Sequence, residues 1–325
     1  MEFRDKMFEI ASLPEFTTYA LEVFRYQYSQ NTVYREFVDS LNIHSESITR
    51  VEDIPFLPIE FFKTHDVVCG AVPPQTIFRS SGTTGMTRSR HLVTDLSKYR
   101  HSFIKGFEHC YGSPEKVQFL ALTPTPEQAP DSSLVYMIRN LMDFGSSREN
   151  LFFLANHSGL AARLRQPQAK NKKVVLIGLA NALLDFIAKH SDDYAPLIVI
   201  ETGGMKGQRK EITREELHLL LCRGFGVDQI HSEYGMTELL SQAWSRGNGL
   251  FTTPPWMKVM IRDINDPLSY IRDGETGGIN IIDLANENSC SFIATEDLGR
   301  MHDDKQFEVL GRFDASDSRG CSLMI

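Results

Sequence analysis

The feature that most constrains the fold is a regular alternation of strand-like and helix-like segments between about residues 117 and 230. Apolar runs typical of buried strands occur at Val117–Leu122, Leu151–Leu154, Val174–Leu179, Leu197–Ile200 and Gln229–Ile230. Helical patterns separate them at Ser132–Met142, Ala180–Lys189 and Thr213–Cys222, the last opening with the Thr-x-x-Glu spacing of a capping box. Strands that alternate with helices predict an α/β fold of mostly parallel sheets flanked by helices.

The ends of the chain have a different pattern. One helix is predicted over Pro14–Leu41, whereas Asp53–Phe62 carries two prolines and is expected to be extended and packed. After residue 255 come short β-like runs separated by turn residues: Val259–Ile261, Ile279–Leu284, Phe292–Thr295 and Phe307–Leu310. We therefore expect an α/β core over residues 1–255, a small β-rich subdomain of the same unit over 256–312, and a short C-terminal tail over 313–325.

Composition excludes several classes of protein. Hydrophobic residues make up 42% and charged residues 23%, no apolar run is long enough to cross a bilayer, and the N-terminus lacks the apolar core of a secretory signal, so a cytoplasmic location is expected. A net charge of −8 without a basic stripe argues against nucleic-acid binding. The 5 cysteines form no Cys-x-x-Cys pair, which argues against a disulfide framework or a zinc site.

The first candidate motif is a hydroxyl- and glycine-rich hexapeptide. It consists of Ser80, Ser81, Gly82, Thr83, Thr84 and Gly85. Glycines allow close backbone approach, and hydroxyl and successive N–H groups can wrap an anion such as a phosphate. No lysine follows Gly85, so this is not the loop of the P-loop nucleotidases, and a surface turn stays the alternative.

Two further motifs follow predicted strands. Glu201-Thr202-Gly203-Gly204 ends one of them, where open α/β sheets bind ligands, and paired glycines let a flat base lie against the backbone; a plain turn is the alternative. Glu233-Tyr234-Gly235-Met236-Thr237-Glu238 supplies a ring to stack on a base, a hydroxyl for a phosphate and a carboxylate suited to Mg²⁺. The alternative there is that Thr237 and Glu238 begin a helix, whose first turn favours acids.

The fourth motif is a pair, Thr295-Glu296-Asp297 and Gly311-Arg312-Phe313-Asp314. Asp297 is suited to accept hydrogen bonds from both ribose hydroxyls, and Arg312 to add charge-assisted bonds to ribose or phosphate. Taken singly, each is more typical of a solvated surface acid or arginine.

In this order, the four motifs resemble those of the adenylate-forming superfamily of acyl-CoA synthetases and luciferases. The closer resemblance is to its acyl-protein synthetase (LuxE) branch, beside the phenylacetate–CoA ligases. It is carried by IPFLPIEFFKTH (Ile54–His65), VVLIGLANALLDF (Val174–Phe186), IETGGMKGQRKEITREEL (Ile200–Leu217) and HSEYGMTELLSQAW (His231–Trp244). The resemblance implies the N-terminal domain of an adenylate-forming enzyme.

The resemblance also implies that the protein activates a carboxylic acid with ATP, and which residues bind each part of the ATP. The hexapeptide would hold the β- and γ-phosphates, Thr237 the α-phosphate and the acid, and Glu238 the Mg²⁺. Gly203, Gly204 and Tyr234, with the flanking Glu233 and Gly235, would surround adenine. Asp297 and Arg312 would hold the ribose.

The sequence departs from the superfamily in two places. Glu296 stands where the superfamily usually has Gly, and only 13 residues follow Arg312, so the mobile C-terminal domain and its lysine are expected to be absent. Acyl-protein synthetases share that truncation and carry an acyl-accepting cysteine in a short tail, a role that falls here to Cys321. The alternative is that Cys321 is a bystander thiol in a frayed end.

The resemblance implies a carboxylic-acid substrate, a fatty acid above all, and a protein partner such as an acyl reductase or an acyl carrier. Two alternatives stay open: a CoA ligase of the phenylacetate type, with CoA as acceptor, and a non-catalytic nucleotide-binding subunit of a reductase complex. The sequence leaves open which acid is used, which pathway the protein serves and whether the chain forms a homo-oligomer.

Overall fold

A computed structural model of the chain describes residues 6–82, 87–144, 151–166, 172–203, 212–303 and 306–313. It divides into two compact units: unit 1 combines Met1–Val72 with Pro255–Ile325, and unit 2 is Pro73–Pro254. Unit 1 thus groups the N-terminal residues with the β-rich segment. The division into 1–255, 256–312 and 313–325 stays a prediction.

The described residues form helices and strands that we number in chain order. The helices are α1 Leu13–Gln30, α2 Thr32–Ser40, α3 Phe61–Thr64, α4 Leu96–Tyr111, α5 Ser133–Phe144, α6 His157–Leu164, α7 Ala180–His190 and α8 Arg214–Phe225. The strands are β1 Leu57–Pro58, β2 Thr76–Arg79, β3 Arg90–Val93, β4 Val117–Leu122, β5 Lys173–Leu179, β6 Ile198–Thr202, β7 His231–Tyr234, β8 Ala243–Ser245, β9 Leu250–Thr252, β10 Met257–Arg262, β11 Gly277–Asp283, β12 Phe292–Met301 and β13 Gln306–Arg312.

Unit 2 contains a mixed sheet in the order β9-β8-β7-β6-β5-β4 and a separate β2–β3 hairpin. Neighbours from β4 to β7 pair in parallel, whereas β8 and β9 are antiparallel. Residues 174–178 of β5 are all buried, as expected for a strand covered on both faces. This confirms the predicted α/β class and the helix-flanked parallel strands.

Unit 1 contains an antiparallel meander, β10-β11-β12-β13, and β1 pairs in parallel with the first part of β12. The four β-like runs predicted after residue 255 are therefore confirmed. The segment predicted to be extended over Asp53–Phe62 is a strand only at Leu57 and Pro58, which lie opposite Ile293 and Ala294 of β12. Its last two residues instead begin α3 at Phe61, so this part of the prediction is wrong.

The single helix predicted over Pro14–Leu41 is wrong: the chain forms α1 and α2 with a break at Asn31. Asn31 has extended backbone angles, and its N–H donates to the Gln27 carbonyl, which ends α1. Its side-chain oxygen accepts from the Tyr34 N–H at 3.0 Å, which starts α2. Asn31 thus caps both amphipathic helices. The apolar pattern of α1 continues into that of α2, so the pattern alone does not show the break.

Two predicted strands also differ from the structure. Leu151–Leu154 forms only a single bridge, at Phe152, because a turn closed by Asn156 and the helix that Asn156 caps follow at once. The strand predicted at Gln229–Ile230 begins two residues later, at His231, and extends through polar residues to Tyr234. In the described part of the chain, no helix has the length and apolarity needed to cross a membrane.

Asn31 and Thr213 provide a matched pair of helix caps for a stability test. Thr213 accepts from the Glu216 N–H at 3.2 Å at an exposed site, so Thr213→Ala should lower the free energy of unfolding by ~1 kcal/mol. Asn31 is fully buried and also donates to the Ser289 carbonyl at 2.9 Å, so Asn31→Ala should cost ~2–4 kcal/mol. Denaturant titration measures both. Equal losses would mean that the bond to Ser289 contributes nothing.

Candidate active site

The candidate site in unit 2 begins where two neighbouring parallel strands end. Glu201 and Thr202 are the last residues of β6, and Glu233 and Tyr234 are the last of β7, with Thr202 opposite Glu233. Gly203 follows β6 with φ 72°, a left-handed conformation that glycine adopts at little cost. Two of the predicted motifs therefore lie side by side at one edge of the sheet, where open α/β folds bind ligands.

A buried hydrogen bond joins these two strand ends. The Thr202 hydroxyl donates to Glu233 Oε2, and both residues are buried. A Cβ added at Gly235 would collide with Glu233 Oε1 and would lie 3.2 Å from Gln242 Cγ. Gly235 is therefore required for packing, because the Glu233 carboxylate occupies the space that a side chain there would need.

Burial controls the charge of Glu233. Its residue surface is 8% exposed, and burial raises the pKa of its carboxyl to about 7. The hydrogen bond from Thr202 lowers this pKa because it favours the ionised form, and the neighbouring Glu201 carboxylate raises it again. Burial thus favours the neutral form of Glu233 compared with a glutamate in water.

Charged and aromatic groups of α8 and β9 support the same strand ends. Glu201 Oε1 lies 3.6 Å from His218 Nε2 and 3.8 Å from Arg214 Nε. The Arg214 guanidinium lies 5.1 Å from the centre of the Phe251 ring, and that ring meets Tyr234 edge-on at 5.8 Å. Tyr234 is itself buried, and its stacking on adenine stays a prediction.

The segment after β7 turns instead of forming a helix. The Leu239 N–H donates to the Met236 carbonyl at 3.1 Å, and the next regular element is β8. The alternative that Thr237 and Glu238 begin a helix is therefore wrong. Glu238, in this turn, is only 4% exposed.

The hexapeptide lies between β2 and β3, and side chains fix the base of this loop. Ser80 and Ser89 bond across it: the Ser80 N–H donates to the Ser89 carbonyl at 3.2 Å, and the Ser89 N–H donates to Ser80 Oγ at 3.0 Å. Arg88 donates to the Ser80 carbonyl and pairs with Asp131 at 3.0 Å. A Cβ at Gly82 would lie 2.9 Å from Arg88 Cγ, so the arginine stem explains that glycine.

In unit 1 the structure brings Asp297 and Arg312 together. They are directly opposite on β12 and β13, and Arg312 Nε donates to Asp297 Oδ1 at 3.2 Å. Gly311, before Arg312, has φ 147°, a conformation that favours glycine. The two residues predicted to hold the ribose are therefore neighbours across one strand pair.

Glu296, where the sequence departs from the superfamily, has a partner in unit 1. Its carboxylate lies 3.5 Å from Lys63 Nζ, and Lys63 also lies 3.6 Å from Glu60. Glu60 and Lys63 follow β1, and Glu296 lies on β12. The hydrogen bond from the Ile59 N–H to the Ala294 carbonyl holds these two segments side by side.

The donor set is compatible with Mg²⁺ at Glu238. The described residues contain no group of three or more His, Cys, Asp and Glu side chains that could cage a metal. Mg²⁺ does not need such a cage, since it commonly takes one or two carboxylates and completes its shell with phosphate oxygens and water. A single buried carboxylate after a strand fits that requirement.

The sequence missed two residues of this region, Arg88 and His91. His91 Nδ1 lies 2.8 Å from the Thr237 carbonyl oxygen, across 146 residues of sequence. Both residues bind main-chain carbonyl groups, which leave no side-chain pattern to find. Five predicted residues lie outside the described residues: Thr83, Thr84, Gly85, Gly204 and Cys321.

Glu233 predicts a pH dependence of stability. Its folded pKa of about 7 exceeds the ordinary 4.5, so its contribution is fully present below about pH 4.5 and is lost as the pH rises to about 7, by up to ~3 kcal/mol. Glu233→Gln keeps an acceptor for Thr202 but cannot ionise, so its unfolding free energy should decline less over this range. Denaturant titrations at several pH values, with exposed Glu115→Gln as control, measure the difference. Parallel pH profiles for all three proteins would contradict the assignment.

Comparison with solved structures identifies the fold. ATP-bound MatB from Rhodopseudomonas palustris aligns at 17% identity with a TM-score of 0.54, over 73% of this chain and 47% of that one. A 2-hydroxyisobutyryl-CoA ligase in complex with 2-HIB-AMP and CoA aligns at 12% identity with a TM-score of 0.68, over 93% and 70%. The chain thus spans about half the length of the MatB structures. These likenesses show the fold of adenylate-forming ligases.

No curated protein matches the chain in sequence. The model of one family, the LuxE acyl-protein synthetases, matches residues 11–325. This match includes both units, all four motifs and the tail with Cys321, and it confirms the resemblance inferred from the residues alone. The chain therefore belongs to the LuxE family of acyl-protein synthetases.

Proposed function

We propose that this protein uses ATP to convert a carboxylic acid, a fatty acid above all, into an acyl-adenylate and then transfers the acyl group to a thiol. The observation that carries the proposal is the contact in unit 2 between the β6 and β7 ends, together with the contact of β3, which follows the Ser80–Gly85 loop, with the turn after β7, in a member of this family. Each of these segments carries the residue types that ATP requires.

In the activation step, an oxygen of the substrate carboxylate attacks the α-phosphorus of ATP. The bond from that phosphorus to the bridging oxygen breaks, and pyrophosphate leaves with its electron pair. The Ser80–Gly85 loop holds the β- and γ-phosphates, and Thr237 holds the α-phosphate and the incoming carboxylate. Alignment and charge neutralisation contribute most to such a reaction, because no proton has to move.

The other residues bind the nucleotide. Gly203, Gly204 and Tyr234 surround adenine, and Asp297 and Arg312 bind the ribose side; their contact across β12 and β13 supports a shared task. Glu238 is the carboxylate that would hold Mg²⁺, which would supply a Lewis acid for the phosphate oxygens.

In the transfer step, the Cys321 thiolate attacks the acyl carbonyl, AMP leaves, and a thioester forms. Cys321 follows Arg312 by nine residues, which extend to at most ~30 Å. From Cys321 the acyl group passes to a protein partner, an acyl reductase or an acyl carrier.

A CoA ligase is the second candidate, because the 2-hydroxyisobutyryl-CoA ligase structures contain CoA. Pyrophosphate release measured across fatty and aromatic acids, with and without CoA, distinguishes the two. Acid-dependent release that CoA does not accelerate favours transfer to the protein, and rapid formation of acyl-CoA favours the ligase. If no acid of the panel causes pyrophosphate release, both candidate functions are overturned.

Glu238→Gln should remove most acid-dependent pyrophosphate release, by about 100-fold or more, as losses of charge-stabilising groups do. The amide keeps the size of the side chain and gives up the charge that holds Mg²⁺. Glu115→Gln, at an exposed glutamate in the same unit, should behave like the wild type. A Glu238→Gln rate within a few-fold of wild type, at unchanged melting temperature, would place the metal site elsewhere.

Cys321→Ser should still release pyrophosphate but should no longer carry a hydroxylamine-labile acyl label on the protein. The serine oxygen is a far weaker nucleophile than a thiolate toward the adenylate. Cys222→Ser is the matched control, since Cys222 is a partly exposed thiol on α8. Undiminished labelling of Cys321→Ser would mean that the acceptor is another group.

A further inference from the structure

Two segments of the proposed site come from distant parts of the sequence and are joined by one side chain. The Ser80–Ser89 loop belongs to the β2–β3 hairpin, and Thr237 lies in the turn after β7. His91, on β3, is 1% exposed, and its Nδ1 lies 2.8 Å from the Thr237 carbonyl oxygen. Nothing in the proposed chemistry assigns His91 a task.

The direction of this hydrogen bond follows from its acceptor. A main-chain carbonyl oxygen can only accept, so Nδ1 of His91 carries the proton and donates it. The backbone of His91 is fixed in the hairpin, where it lies opposite Phe78 of β2, and its side chain is buried. The donor therefore has a defined position relative to the hairpin.

The hairpin is itself stiff where it meets the loop. Ser80 and Ser89 bond across its base at 3.2 and 3.0 Å, and Arg88 donates to the Ser80 carbonyl. His91 follows Ser89 by two residues. The hydrogen bonds at the base of the hexapeptide loop are thus connected to the backbone of Thr237 through two residues of chain and the His91 side chain.

The bond from His91 to Thr237 affects how the groups that react at the α-phosphorus of ATP are aligned. Pyrophosphate leaves in line with the attacking carboxylate only if the group that holds the β- and γ-phosphates is fixed relative to the group that holds the α-phosphate. A misplacement of ~1 Å can lower the rate by about 100-fold while each partner still binds. A hydrogen bond between the two holding segments therefore acts on alignment.

We propose that His91 is a positioning residue for adenylation: its Nδ1–H fixes Thr237 relative to the phosphate-binding hairpin and thereby supports the chemical step more than the binding of either substrate. The inference rests on the proposed function, since it takes the Ser80–Gly85 loop and Thr237 as the holders of the triphosphate.

The test compares two amide substitutions of His91 that place the donor differently. An asparagine side chain carries its nitrogen near the position of Nδ1, and a glutamine side chain carries it near that of Nε2, so His91→Asn keeps the bond to Thr237 and His91→Gln loses it. We expect His91→Gln to lower kcat for acid-dependent pyrophosphate release by about 10- to 100-fold, with KM for ATP and for the acid changed less than about 3-fold. His91→Asn should retain kcat within about 5-fold of the wild type.

Melting temperatures and the Kd for a non-hydrolysable ATP analogue are measured on the same proteins. Equal kcat for wild type and both variants would overturn the positioning role. So would equal losses in both variants that follow their melting temperatures, because His91 would then be a core residue only. If the wild type itself releases no pyrophosphate with any acid, the proposed function fails, and the role of His91 in it fails as well.

Discussion

The hydrogen bond from Thr202 to Glu233 is the interaction on which the site in unit 2 depends. It joins the last residue of β6 to the penultimate residue of β7 and so fixes the spacing of the two loops that follow. Two buried carboxylates, Glu201 and Glu233, lie at this edge of the sheet, which is costly unless each has partners. Glu233 accepts a hydrogen bond from Thr202, and Glu201 lies near His218 and Arg214.

Main-chain carbonyl groups of both loops and strands anchor other segments of the chain. Arg88 binds the Ser80 carbonyl, His91 that of Thr237, and Arg262 those of Ile279 and Thr295 at 2.8 and 2.6 Å. A carbonyl is present at every residue, so such a bond constrains the path of a loop without constraining its side chains. The bond to His91 thereby leaves the Thr237 hydroxyl available for a ligand, and burial makes such bonds costly to break.

The parts of the fold that follow from apolar periodicity could be predicted, and the parts that depend on polar partners could not. β4 and β5 were predicted because their residues are apolar and continuous. Apolar periodicity places β7 two residues before its true start, because its sequence, His-Ser-Glu-Tyr, is polar although every residue is buried. Those residues are tolerated through distant partners: His231 bonds Tyr111 at 3.1 Å, and Ser232 bonds His218 at 3.3 Å. The chain shows no local sign of these contacts.

The strand geometry of β12 explains how the site motif can carry Glu296 in place of glycine. Successive side chains of a strand point to opposite faces, so Glu296 and Asp297 do not share a face. Glu296 is 37% exposed and pairs with Lys63, which is 34% exposed, a contact worth ~0–1 kcal/mol at most. Asp297 is buried and keeps its contact with Arg312 across the strand pair. A charged side chain at residue 296 therefore alters one face of β12 and leaves the carboxylate proposed for the ribose in place on the other.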